Sequence, residues 1–143
     1  MLTIAIVEDD LEYQKQLQKY IEQYGKEHEL QYKITVFQNG LNFLEDYKGD
    51  CDLIFMDIAM PHMDGMETAA KLRKRGDETC LIFITSMAQY ALKGYEVNAF
   101  DFLVKPLVYE LFCIKFEKAL SHIDKKEAYY IKIPNGAKKV SPG

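Results

Sequence analysis

Four places in this 143-residue chain put chemically capable side chains directly behind an apolar run. Glu8-Asp9-Asp10 follows residues 2–7, Asp57 follows 52–56, Thr85-Ser86 follows 81–84, and Lys105-Pro106 follows 100–104. Three or four carboxyl groups, a hydroxyl and an ammonium form a set suited to phosphoryl transfer, which demands mostly positioning and neutralisation of the transferred group. Gathered without help, the carboxylates would be costly. Two unit charges about 4 Å apart repel by roughly 4 kcal/mol at an effective dielectric of about 20, and such a cluster pushes its own pKa values up. A hard divalent cation removes that penalty, and magnesium in particular binds through one or two carboxylates, waters and a phosphate oxygen. Each residue also has a simpler duty open to it: Asp9 or Asp10 as a helix cap, Asp57 as a loop cap, Thr85 as a turn donor, Lys105 as a solvated charge.

The elements that must deliver these groups alternate along the chain. Strand-like runs at 2–7, 34–37, 52–56, 81–84 and 100–104 are each followed by a helical pattern, at 11–24, 40–47, 65–74, 88–95 and 108–123. Tyr13, Leu17, Tyr20, Ile21 and Tyr24 lie near one face of the first helix, and Phe112, Phe116, Ala119, Leu120 and Ile123 form a stripe on the last. Strands apolar on both faces and alternating with helices imply an α/β fold, a parallel sheet covered on both sides by right-handed crossovers. Five βα units fit the doubly wound, flavodoxin-like order 2-1-3-4-5, in which ligands sit beyond the carboxyl ends of strands 1 and 3. That places Glu8, Asp9, Asp10 and Asp57 in one crevice, with Thr85 and Lys105 on the same sheet edge.

The strings IAIVEDD (4–10), LIFMDIAMPHMDGME (53–67), FITS (83–86) and FLVKP (102–106) resemble, in order and spacing, the motif set of response-regulator (CheY-like) receiver domains of bacterial two-component systems, over about residues 1–123. The resemblance implies that Asp57 is the phosphoacceptor, taking its phosphoryl group from a phosphohistidine on a sensor histidine kinase. It implies Mg2+ held by Asp9, Asp57 and the backbone carbonyl of Ala59, with Glu8 near the metal through water, its side chain longer than the Asp often found there. Thr85 would bond a phosphoryl oxygen, and Lys105 would pair first with the Asp57 carboxylate and then with the phosphate. Lys105-Pro106 is a candidate cis peptide. Pro61 and Gly65 fit structural turn duties, Gly65 through its freedom to adopt φ > 0. Phe102 takes the place of the family's aromatic switch, with a plain core role equally open to it.

Residues 90–103 are similar to the matching region of receivers joined to LytTR DNA-binding domains, and YYIKIPNG (129–136) resembles the opening of such a domain, with a strand at 129–133 and a turn at Pro134-Asn135-Gly136. Residues 124–143 then read as a linker and the start of a truncated output domain. The parent would be a transcription factor that dimerises on phosphorylation through its helix 4, strand 5 and helix 5 face and binds DNA through the missing domain. The alternative is a stand-alone receiver acting by protein docking. An Asp-nucleophile phosphatase of the haloacid-dehalogenase kind would need a second acid two residues after Asp57, where Ala59 stands, so the chain is expected to be no enzyme beyond slow autodephosphorylation. A flavodoxin is disfavoured because Glu8-Asp9-Asp10 would repel a phosphate.

The totals agree with this reading. A net charge of −4 offers a polyanion no general attraction. No apolar run reaches the roughly 18 residues of a membrane span, and no secretory signal opens the chain, so a cytoplasmic location is expected. Cys51, Cys80 and Cys113 have neither the number nor the spacing of a disulfide framework or zinc site.

Overall fold

The structure is a computed structural model that describes residues 1–132. Five parallel strands, β1 (Leu2–Val7), β2 (Tyr32–Phe37), β3 (Leu53–Asp57), β4 (Cys80–Thr85) and β5 (Asp101–Val104), form one sheet in the order β2-β1-β3-β4-β5. Helices α1 (Leu11–Glu27), α2 (Gly40–Asp46) and α3 (Gly65–Lys74), with a 3-10 helix at Ala88–Val97, supply the four crossovers, and α4 (Tyr109–Lys132) follows β5. The expected doubly wound α/β topology is therefore present. β3 and β4 are buried throughout, as strands covered on both faces must be.

Two hydrophobic cores flank the sheet. On one face, Ile4, Ile6, Phe55, Ile82 and Ile84 pack against Leu17 and Ile21 of α1 and Phe112 and Phe116 of α4. On the other, Val7, Ile54, Met56 and Phe83 pack against Phe43, Ala69 and Leu72. Burying a large apolar side chain contributes about 1.5–3 kcal/mol, so the alternation of inward and outward strand residues fixes the register on both faces at once. Asp10, Asn39 and Asp64 accept backbone N–H bonds at the starts of α1, α2 and α3.

Two expected elements differ. Residues 88–97 wind as a 3-10 helix, an alternative that i, i+3 spacing over ten residues does not separate from an α-helix. The last helix continues nine residues past Ile123 to Lys132, so the charged stretch 124–127, open to a linker or a frayed helix end, is helical, and residues 129–132 are helix where a strand at 129–133 is expected. Asp124-Lys125-Lys126-Glu127-Ala128 holds no Gly or Pro, and Lys, Glu and Ala are good helix formers, so nothing stops a helix already nucleated on the core. The expected turn at Pro134-Asn135-Gly136 lies outside the described residues.

Candidate functional site

β1 and β3 are neighbours whose carboxyl ends open into the crevice where the strand order reverses, and the acidic residues meet there. Glu8 and Asp57 are almost wholly buried, at 1% and 2% exposure, and one oxygen each from Glu8, Asp9 and Asp57 lie within 4.8 Å of one another. Glu8 Oε2 and Asp57 Oδ1 are buried without any hydrogen-bond partner. Orphaned carboxylate oxygens are costly at such depth, and these two converge where a cation would coordinate them. Hard, anionic oxygen donors are what magnesium takes, so the residues present fit that ion.

Lys105 is the cation already in the cluster. Its Nζ donates to Glu8 Oε1 at 2.7 Å and lies 3.5 Å from Asp57 Oδ2. The expected first partner, Asp57, is thus the more distant one, because the longer Glu8 side chain reaches across to the ammonium. Burial raises the Glu8 pKa from 4.5 to about 8, reinforced by the hydrogen bond and charge of Asp57 and opposed by Lys105. Burial alone would lower the Lys105 pKa, yet the Glu8 hydrogen bond and the Asp57 charge outweigh it and the net direction is upward. Once Glu8 gives up its proton, three carboxylates against one ammonium leave two formal negative charges, the complement of one divalent cation.

The loops are built to hold this geometry. Asp10 is the N-cap of α1, accepting from the Glu12 and Tyr13 amides, so of the two acids open to capping it is Asp10 that caps and Asp9 that stays in the cluster. Gln14 Nε2 donates to the Glu8 carbonyl at 2.6 Å, and Gln38 Nε2 to the Asp9 carbonyl at 3.0 Å. After Asp57 the chain turns tightly, with the Gly65 amide donating to the Ile58 carbonyl at 2.8 Å and that of Met63 to Pro61. Gly65 is needed for close approach, since a Cβ there would stand 2.2 Å from the Asp57 carbonyl oxygen; its φ is not positive, contrary to expectation. Asp64, not Asp57, caps the following helix. Ala59 is exposed beside the cluster, and Lys105-Pro106 is cis, as anticipated.

Thr85 is buried, but its hydroxyl is engaged with Met87, accepting from the backbone amide at 3.0 Å and donating to the carbonyl at 3.5 Å. Next to it lies a cavity of about 310 Å³ lined by Ile58, Thr85, Tyr90, Gly94 and Phe102 among others, beneath the 3-10 helix. Phe102 is half-buried at the edge of that cavity, with Lys115 Nζ 5.5 Å from its ring centre. Arg73 of α3 pins the far end of the 3-10 helix, donating to the carbonyls of Val97, Asn98, Asp77 and Thr79.

Sequence reasoning leaves out Gln14, Gln38 and Arg73 and places Tyr13 only on the packed face of the first helix. Gln14 carries a legible signal, a polar residue on the same stripe as Leu17 and Ile21. Gln38, Tyr13 and, for two of its four bonds, Arg73 act through partners distant along the chain.

Comparison with known proteins agrees with this geometry. The model of the response regulator receiver domain matches residues 4–115. The transcriptional regulatory protein YpdB of Escherichia coli (strain K12) is 31% identical over 106 residues, covering 73% of this chain and 42% of that protein. The sensory transduction protein LytT of Bacillus anthracis is 32% identical over 106 residues, covering 74% and 42%. The chain thus spans under half the length of these curated relatives. Among solved structures, the response regulator protein TrrA from Thermotoga maritima, in complex with Mg(2+)-BeF, superposes with a TM-score of 0.71 at 26% identity, over 83% of this chain and 99% of that one.

Proposed function

Because this chain belongs to the response regulator receiver domain family, we propose that Asp57 accepts a phosphoryl group from a phosphohistidine on a sensor histidine kinase, with Mg2+ as cofactor. The observation that carries the proposal is the buried trio of Glu8, Asp9 and Asp57, with two unpartnered oxygens and Lys105 against it. Asp9, Asp57 and the Ala59 carbonyl would hold the metal, with Glu8 near it, and the bound ion would neutralise the carboxylates and the incoming phosphoryl oxygens. One Asp57 oxygen attacks phosphorus while the phosphorus–nitrogen bond of the donor breaks, and the electron pair leaves with the imidazole. Asp57 becomes an acyl phosphate, and Ala59 supplies no acid to hydrolyse it quickly, so the domain stores a signal instead of turning over substrate.

The new phosphate brings about −1.5 to −2 charge and three acceptor oxygens. Lys105 transfers from Glu8 to the phosphate, and Thr85 leaves its turn with Met87 to bond a phosphoryl oxygen. Shifting a population from 1:99 to 99:1 takes about 5.5 kcal/mol, within reach of two or three charge-assisted bonds. The cavity under the 3-10 helix gives Phe102 and the 88–97 segment room to follow Thr85. The face formed by that segment, β5 and α4 then pairs two copies. The similarity to the transcriptional regulatory protein YpdB supports a transcriptional output, and the likeness of residues 90–103 to receivers joined to LytTR domains favours a LytTR-type DNA-binding domain, reached through residues 124–143.

Incubation with magnesium and acetyl phosphate, followed by intact mass measurement, tests the acceptor. One phosphate adduct is expected, dependent on magnesium and absent in Asp57→Asn. An adduct indifferent to Asp57 would overturn the proposal.

A further inference from the structure

We propose that Tyr13 is a positioning residue for Lys105, its ring holding the ammonium between Glu8 and Asp57 so that the cation is already placed when the phosphoryl group arrives. Lys105 Nζ lies 4.0 Å from the centre of the Tyr13 ring, while the same nitrogen donates to Glu8 at 2.7 Å and stands 3.5 Å from Asp57. A lysine ammonium has three N–H donors and no acceptor. Two carboxylates and one aromatic face meet it here from three sides. Its flexible four-carbon stem would otherwise let it leave for solvent whenever Glu8 turned toward a metal. A cation over an aromatic face needs no particular N–H direction, so the Tyr13 ring can hold Lys105 while its carboxylate partners exchange.

The backbone supports this assignment. Asp10 caps α1 and accepts from the Tyr13 amide, which sets Tyr13 in the first helical turn directly beneath the cluster. Tyr20 and Glu27 follow at seven-residue spacing, on the same face of α1. The Tyr20 hydroxyl donates to the Leu107 carbonyl at 3.1 Å, and its ring meets Tyr109 edge-on at 5.3 Å. Glu27 Oε1 accepts from the Tyr109 hydroxyl at 2.5 Å. Three side chains of one helix face thus brace the segment from Lys105 to Tyr109, with the ring of Tyr13 on the functional group itself. The assignment rests on the proposed role of Lys105, and its test separates the two.

The Lys105 ε-methylene protons, read by NMR on the intact chain without phosphodonor, should carry the upfield ring-current shift of an aromatic face. That shift should persist in Tyr13→Phe and vanish in Tyr13→Leu. At saturating magnesium, Tyr13→Leu should accept phosphate from acetyl phosphate about five- to tenfold more slowly, between the scales of an exposed and a desolvated cation–π contact, while Tyr13→Phe stays within about twofold of wild type. In a Lys105→Gln background the change to Leu should cost nothing further, whereas a general packing role would add its full effect. Absence of the shift in the wild type overturns the assignment whether or not any variant folds. So does a Tyr13→Leu protein that reacts at the wild-type rate, or a Tyr13→Phe protein as slow as it. A wild type that takes no phosphate on Asp57 but keeps the shift defeats the proposed function alone.

Discussion

Replacing Glu8 with Gln in the metal-free protein should remove most of the pH dependence of folding stability between about pH 6 and 8. The carboxyl of Glu8 titrates near 4.5 when unfolded and is raised to about 8 in the fold, chiefly by burial. The folded state therefore binds the Glu8 proton where the unfolded state does not. The stability it contributes is fully present below pH 4.5 and is lost as pH rises toward 8. The slope is about 1.4 kcal/mol per pH unit and halves near pH 8 as Glu8 itself titrates, so from pH 6 to 8 the wild type should lose about 2 kcal/mol, or about 7 °C in Tm for a domain of this size. Lys105 does not contribute in this window, because its pKa is raised from 10.5. The three histidines are common to both proteins and cancel in the difference. Gln keeps the shape and an oxygen that accepts from Lys105 but loses the charge and the titrating proton, so the variant's absolute stability shifts while its pH profile flattens. Urea denaturation of both proteins in chelator, at half-unit pH intervals, measures this. Saturating magnesium should abolish the wild-type slope, since the metal binds the deprotonated carboxylates. Parallel profiles for the two proteins would refute the assignment of the buried proton to Glu8.

Other substitutions probe separate supports of the site. Gly65→Ala drives a methyl group against the Asp57 carbonyl, so denaturation should show a loss of about 2–3 kcal/mol and phosphorylation should slow as Asp57 is displaced. Lys105→Gln removes the ammonium that competes with a metal for Glu8 and Asp57; calorimetry should show magnesium binding about tenfold tighter or more, roughly 1.4 kcal/mol, well within what a neighbouring charge supplies. Arg73→Ala leaves four backbone carbonyls without their donor and should cost about 3 kcal/mol, with Arg73→Lys recovering only part, since an ammonium lacks the planar fork; hydrogen exchange should rise first around Asn98 and Ala99.

By itself the sequence determined the strand-and-helix alternation, because β3 and β4 are apolar on both faces and α1 and α4 carry stripes at helical spacing, patterns each readable from neighbours in the chain. Topology then followed from crossover handedness, and with it the meeting of Glu8, Asp9 and Asp57 at one sheet edge. Residues 129–132 continue the last helix where a strand is expected, because composition shows where a helix can continue but not that packing upstream has already met the cost of starting it. The partners of the charged groups were beyond reach for a different reason. Whether Lys105 sits closer to Glu8 or Asp57 depends on about one ångström in the reach of two side chains. Whether Gly65 serves a left-handed turn or a close approach depends on where the Asp57 carbonyl lies. The placing of Tyr13 under an ammonium ninety-two residues away, and of Arg73 on the end of the 3-10 helix, likewise has no local signature. These are properties of distance and burial between elements remote in sequence, and only their packing against the common sheet sets them.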